Sequence, residues 1–395
     1  MKKLLSVVLM LTMVIGVRTN VYAKDWRNNE AEYTNENVSG SRYDCRSVVL
    51  MEAGTGKILY EENSDAAYSP ASVTKIMTLL LVMEALENGA FTLDQKVTVS
   101  EYAASMGGSQ VYLKEGESIS VEDLIKCTVI ASANDAAVAL CELVAGSEEN
   151  FVRKMNAKAM ELGMKSSNFE NVTGLDDTAV NHVQSAMDIA IASRELIKHE
   201  IITRYSSIWQ DSIRDGAFVL TNTNRLVRFY DGCTGLKTGS TDKAGFCIST
   251  TAKRGNMHLI AVVMGAPTRD ERNAIARELL DLGFAEYTLY EAESEHLGSF
   301  RILRSNVPSI DLYTAPLSVV IGKADERNVE KRVTLPESFS APISKGSEVG
   351  KVEYLLNGEM IAEVPIYSDT EAREITFGSL YFRMLLSLFM PSGKM

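Results

Sequence analysis

Apolar residues fall along this chain in runs of contrasting texture. In "SPASVTKIMTLLLVMEAL", residues 69 to 86, Ile76, Met77, Leu79, Leu80, Leu81, Val82, Met83 and Leu86 cover nearly every face of a helix, as in a segment packed on all sides. Before it, "CRSVVLMEAGTGKILYEEN" reads as two strands around a turn at Ala53-Gly54-Thr55-Gly56. A long helical section follows, including "VEDLIKCTVIASANDAAVALCELVAG" and "SEENFVRKMNAKAMELG", the second opening on a capping serine, Ser147. Strand texture returns in "GCTGLKTGS", "AGFCISTTAK" and "MHLIAVVMGA", and "RDERNAIARELLDLGFAEY" closes the region as an amphipathic helix. Strands, helices, strands and a helix predict an α+β domain over residues 41–290, its sheet assembled from both ends of the segment.

The flanks differ. From 297 to 370 the pattern becomes short alternating runs, with Asn357-Gly358 as a hairpin turn between two of them, which predicts a small all-β domain. Within the C-terminal segment 372–395, "ITFGSLYFRMLLSLFM" places Thr376, Ser379, Arg383 and Ser387 on one helical stripe and apolar residues elsewhere. Such a helix is shorter than the ~20 residues a membrane span needs, so it is expected to lie in a membrane surface. At the other end, "MKKLLSVVLMLTMVIGVRTNVYAKD" has a basic start, an apolar run and small-residue spacing before Lys24. It reads as a cleaved export signal, residues 1–23, with an uncleaved anchor as the alternative. The polar stretch 24–40 reads as a flexible spacer. The expected location is outside the cytoplasm, on the outer face of the cytoplasmic membrane, held there by the C-terminal helix.

Composition narrows the chemistry. With 46% hydrophobic and 23% charged residues, the 395-residue chain is of ordinary globular type and long enough for two domains. A formal net charge of -12 argues against nucleic acid or an acidic membrane surface as the main partner, so an anionic substrate must meet particular cations. Five scattered cysteines (Cys45, Cys127, Cys141, Cys233, Cys247) signal neither a disulfide framework nor zinc, and free thiols are the expectation. One bridge across a hairpin, Cys233 to Cys247, is the alternative. Four histidines show no metal-ligand spacing, and neither a metal nor a cofactor is expected.

The charge in the apolar helix then needs a reason. On a helix starting near Ser72, Lys75 lies one turn on and faces the Ser72 hydroxyl, a nucleophile beside a base. Alone, S-x-x-K equally describes a capped helix whose lysine reaches solvent, and Ser240 to Lys243 repeats it. Ser132-Ala133-Asn134 could present a hydroxyl and an amide to one cavity, though Ser166-Ser167-Asn168 has the same form. Lys237-Thr238-Gly239 offers a cation and a hydroxyl for a carboxylate, with Gly239 letting a ligand backbone lie along the strand; a strand with an exposed lysine is the plain alternative.

In that order and spacing, S-x-x-K, S-x-N and K-T-G are far more specific than any one of them. Together with "SPASVTKIMT", "KTGSTDKAGF" and "VVMGAPTRDER", they make the chain resemble the low-molecular-weight penicillin-binding proteins of the penicillin-binding protein 5 type, serine D-alanyl-D-alanine carboxypeptidases. The resemblance spans nearly the whole chain after the export signal. It implies a β-lactamase/transpeptidase-like serine hydrolase domain followed by the small β domain. It implies peptidoglycan stem peptides ending in D-Ala-D-Ala as substrates and β-lactams as covalent inhibitors. It also implies roles. Ser72 would be the nucleophile, Lys75 the base, and Ser132 a proton relay. Asn134 would hold the substrate amide, and the Ser72 and Ser240 N–H groups would form the oxyanion hole. Lys237, Thr238 and Arg272 would hold the terminal carboxylate, with Arg269 a rival for the last place. The chain departs from some relatives in having Thr173, not histidine, before Gly-Leu-Asp, which leaves that loop's role in deacylation open. No E-x-x-L-N stretch lies between Ser132 and Lys237, which counts against a β-lactamase, the first alternative; a non-catalytic penicillin-binding sensor is the second.

Overall fold

The computed structural model describes residues 42–176 and 179–389; the expected export signal and spacer lie outside the described residues. The described residues divide into two compact units, one within residues 42–290 together with 318–327, the other residues 291–317 together with 328–389.

The larger unit is built on five antiparallel strands in the order Ile58–Glu62, Ser47–Glu52, Met257–Ala266, Gly245–Arg254, Cys233–Thr241. Two strands come from its N-terminal end and three from its C-terminal end, as the pattern predicts. The strand Ser47–Glu52 is buried at every residue because both sheet faces are covered. Val48 and Leu50 pack with Ile275, Leu279 and Leu280 of the helix Arg269–Glu286, while Val49 and Met51 join Ile76, Met77, Leu79 and Ile189 in the helical layer. That two-sided burial explains why the strand reads as a continuous apolar run rather than an alternating one.

Local signals act as expected at several element ends. The Ser147 hydroxyl accepts the Asn150 N–H, and Thr268 does the same for Glu271, so each satisfies a first-turn donor with no partner inside its helix. The turn after Ser47–Glu52 is closed by the Glu52 carboxylate, which accepts N–H bonds from Gly54 and Thr55.

The smaller unit holds a six-stranded sheet in the order Val329–Thr334, Glu348–Leu356, Glu359–Ser368, Ser309–Thr314, His296–Leu303, Phe339–Ser340. Asn357 and Gly358 both have positive φ, 53° and 85°, which matches the two-residue turn whose twist suits a hairpin. Two boundaries differ from expectation. Residues 318–327 cluster with the larger unit, because Val320 is buried among Leu289, Ile275 and Leu279. The C-terminal helix runs Phe377–Phe389; residues before it bridge back to the β unit, Ile343 to Ala372 and Ser305 to Glu374, with Ala372 buried.

All five cysteines are free. The register rules out the Cys233–Cys247 alternative: Cys233 stands opposite Ala252, and Cys247 opposite Gly239.

Candidate active site

The helix expected to begin near Ser72 starts as a tighter 3-10 turn, Ala71–Thr74, and continues as α-helix from Lys75 to Glu87. In a 3-10 turn residues three apart eclipse one another. That puts the Lys75 side chain over Ser72, and its Nζ donates to Ser72 Oγ at 3.0 Å. Lys75 is wholly buried, and a second N–H bond runs 2.9 Å to the backbone carbonyl of Thr173.

A second pair mirrors the first. Ser132 sits between the helices Val121–Ile130 and Asn134–Ala145 in the left-handed region, φ 63°, which turns its hydroxyl out of the helical run. The Nζ of Lys237 donates to Ser132 Oγ at 2.8 Å and to the Thr238 carbonyl at 2.8 Å. Asn134 is buried; its amide N–H donates 2.7 Å to the Gly107 carbonyl, while its own carbonyl oxygen has no protein partner among the described residues. Beside it, the buried Asp135 carboxylate accepts N–H bonds from Val111, Leu113 and Ala136, tying residues 111–113 to the Asn134 helix.

Lys237, Thr238, Gly239 and Ser240 follow one another on the strand Cys233–Thr241. Gly239 answers to a different neighbour from the one expected. A Cβ there would stand 2.7 Å from Ser72 N and 2.9 Å from both Pro70 O and Val73 N, so the glycine lets the strand close against the nucleophile's own turn. Ser240, the next residue, is exposed at the strand's end. Thr238 donates its hydroxyl proton to Thr223 Oγ1 at 2.8 Å. Arg272 is buried on the first turns of Arg269–Glu286, braced by the Cys247 carbonyl and the Asn273 side chain, while Arg269 is exposed.

Burial, and then the Lys237 cation, push the Lys75 ammonium well below its ordinary value, with Asp135 opposing. Burial and then Arg272 bring Lys237 down to about 7. Burial and then Arg269 bring Arg272 down to about 10. Three cations are crowded into one desolvated region, and the one beside Ser72 is pressed toward its neutral, basic form.

Of these groups, Ser72, Ser132, Thr238, Gly239, Ser240, Arg269 and Arg272 line one cleft of about 680 Å³, while Lys75, Lys237 and Asn134 are buried behind it. Ser109, Trp209, Thr221, Asn222, Thr223, Arg225 and Phe229 complete it; the sequence carries no motif for them, since each is a polar or aromatic residue in a loop or short element. The duplicate motifs do other work: Ser166 N–H and Ser167 Oγ both bond Asp188, and Lys243 is exposed. Among the described residues no cluster of His, Cys, Asp and Glu could hold a metal.

The chain is similar to known proteins over most of its length. The family described as D-alanyl-D-alanine carboxypeptidase matches residues 33–268, and the one described as penicillin-binding protein 5, C-terminal domain, matches residues 284–374. The D-alanyl-D-alanine carboxypeptidase DacF of Bacillus subtilis is 42% identical over 385 residues, covering 95% of this chain and 96% of that one. Among solved structures, penicillin-binding protein 5 from Haemophilus influenzae superposes with a TM-score of 0.75 at 31% identity, covering 86% of this chain and 100% of that one. Penicillin-binding protein D2 from Listeria monocytogenes in the ampicillin-bound form has a TM-score of 0.57 at 31% identity, covering 62% and 99%.

Proposed function

The chain belongs to the D-alanyl-D-alanine carboxypeptidase family of penicillin-binding proteins, and we propose that the Ser72 cleft is where its chemistry takes place. The protein is a serine-type peptidase that removes the terminal D-alanine from peptidoglycan stem peptides and binds β-lactams. In this reading Ser72 Oγ adds to the carbonyl carbon between the two D-alanines while neutral Lys75 takes its proton. The carbonyl electrons move onto oxygen, held by the N–H groups of Ser72 and Ser240. Collapse breaks the C–N bond, and the leaving D-alanine amine receives its proton through Ser132. Lys237, Thr238 and Arg272 hold the terminal carboxylate, and the free Asn134 carbonyl accepts the substrate amide N–H. Water then attacks the ester with Lys75 again as base. The loop facing Lys75 contributes the Thr173 carbonyl, which orients the amine without competing for the proton.

The observation that carries this reading is the paired arrangement, two serines each bonded to a buried lysine and facing one cleft. It is tested by release of D-alanine from a D-Ala-D-Ala peptide and by covalent labelling with a penicillin. Ser72→Ala is expected to lose both, and a labelled Ser72→Ala protein would overturn the assignment.

The same proposal extends to location. The protein is exported, and the helix Phe377–Phe389 lies in the outer surface of the cytoplasmic membrane. Support comes from the basic and apolar start of the sequence and from the helix itself, where Phe377, Leu380, Tyr381, Phe382 and Met384 are exposed. No described helix is long and apolar enough to cross a membrane.

A further inference from the structure

The carbonyl of Ala71 and the N–H of Ser72 belong to one planar trans peptide unit and point in opposite directions. Whatever fixes the carbonyl therefore fixes the N–H. Ala71 has φ 47°, a left-handed conformation that alanine rarely adopts unless its surroundings hold it.

Two groups do so. Thr74 Oγ1 donates to the Ala71 carbonyl at 2.8 Å, and the same oxygen lies 2.8 Å from His182 Nε2. The tautomer of His182 follows from its other nitrogen: Nδ1 accepts the Glu170 N–H at 3.0 Å, so the proton sits on Nε2 and is given to Thr74. Thr74 and His182 are buried, so the chain from imidazole to hydroxyl to carbonyl runs without solvent. From the loop before His182, Gly174 comes so close that a Cβ would stand 1.8 Å from the Ala71 oxygen. A bond accepted by the carbonyl also polarises the peptide unit and strengthens its N–H as a donor.

We propose that Thr74 and His182 are positioning residues that aim the Ser72 N–H at the oxyanion, although neither touches substrate. The proposal rests on the reading of Ser72 as nucleophile and its N–H as an oxyanion donor. Burial drives the His182 imidazolium down to about 4, so at neutral pH the ring keeps the single proton this chain requires.

The test compares an ester substrate with its thionoester, whose sulfur accepts hydrogen bonds weakly and gains little from an oxyanion hole. Thr74→Val, which keeps the branched shape and removes the hydroxyl, is expected to lower kcat on the ester by roughly 10- to 100-fold with KM unchanged, and on the thionoester by less than about threefold. Thr74→Ser restores the hydroxyl and is expected to recover most of the rate. Adding His182→Phe to Thr74→Val is expected to cost little more, because the two act in series. If Thr74→Val does not fold, His182→Phe carries the same ester and thionoester comparison. A folded variant with kcat within about twofold of the parent, or with equal losses on both substrates, would overturn the proposal. Penicillin labelling of Ser72→Ala, run in parallel, reports separately on the nucleophile: label there would mean that the parent reading has failed.

Discussion

The ammonium group of Lys237 donates a 2.8 Å hydrogen bond to the hydroxyl of Ser132, 105 residues away in the chain. With its charge lost near pH 7 in the free protein, Lys237 in its proposed role would attract a carboxylate only below that pH, whereas a bound carboxylate would keep it charged. The alkaline fall in kcat/KM is therefore expected from about 7, with kcat holding to higher pH, since kcat/KM reports the free enzyme. Lys75, held well below its ordinary value by burial and the Lys237 cation, would as the base govern the acid side. Lys237→Arg, always charged, is expected to be slower but to lose the alkaline fall; pH profiles of the two proteins decide it.

Lys75→Met is expected to stop acylation by at least about 10³-fold while raising stability by about 1–2 kcal/mol, because it removes a costly buried amine from an apolar helix. Penicillin labelling rates and urea midpoints check both halves. A Met variant less stable than the parent would mean that the amine's two hydrogen bonds outweigh its desolvation.

Gly239→Ala places a methyl group 2.7 Å from Ser72 N, against backbone that cannot step aside cheaply. A shift of the Ser72 turn follows, and acylation is expected to slow by roughly 10²-fold. Stopped-flow labelling with a fluorescent penicillin measures it. A rate near that of the parent would show that the strand, not the nucleophile turn, yields.

Residues up to Ile375 are tied to the β unit by the Ala372 and Glu374 bridges and by the bond from Ile375 N–H to the Arg304 carbonyl. A chain ending at Ile375 is thus expected to stay folded and active and to leave the membrane fraction. One ending at Asp369 loses the buried Ala372 and is expected to unfold its β unit at lower denaturant. Fractionation and urea titration separate the two outcomes; a chain ending at Ile375 that stays membrane-bound would move the anchor elsewhere.

On the proposed mechanism a β-lactam would acylate Ser72 as peptide does, but its leaving group would remain tethered within the ester. Facing Lys75 is the Thr173 carbonyl, which cannot act as a base toward water. Labelled penicillin is expected to stay on Ser72 for many peptide turnovers, followed by a chase with unlabelled drug and intact-protein mass spectrometry. An adduct lost as fast as peptide is turned over would favour a β-lactamase.

What the sequence disclosed was whatever is encoded locally. The buried helix behind Ser72, the Ser147 cap and the Asn357-Gly358 turn each depend on a few neighbouring residues, and each stands where the pattern puts it. The three short motifs, taken in order, point to Ser72, Ser132, Thr238, Gly239 and Ser240, and these residues line one cleft. Contacts across the chain were not legible. Nothing near Gly239 in sequence says that its neighbour is Ser72 N, and Thr238 shows no sign of Thr223. His182 reads as one more isolated histidine because its side-chain partner, Thr74, lies 108 residues away. The 3-10 turn at Ala71–Thr74 was hidden for another reason: 3-10 and α-helical starts share a side-chain pattern and differ only in which carbonyl each N–H reaches.

Besides the Ser72 hydroxyl, the partner that steadies Lys75 is a main-chain oxygen, at position 173. Any amino acid at 173 keeps that oxygen, so no single codon change there can delete the contact. On the proposed mechanism, the remaining groups that would meet an inhibitor are those the natural peptide would also use. A cell under β-lactam selection therefore has little room to escape by rewriting this pocket without forfeiting the enzyme, and the open routes are making more of it, keeping the drug out, or relying on another protein for the same trimming.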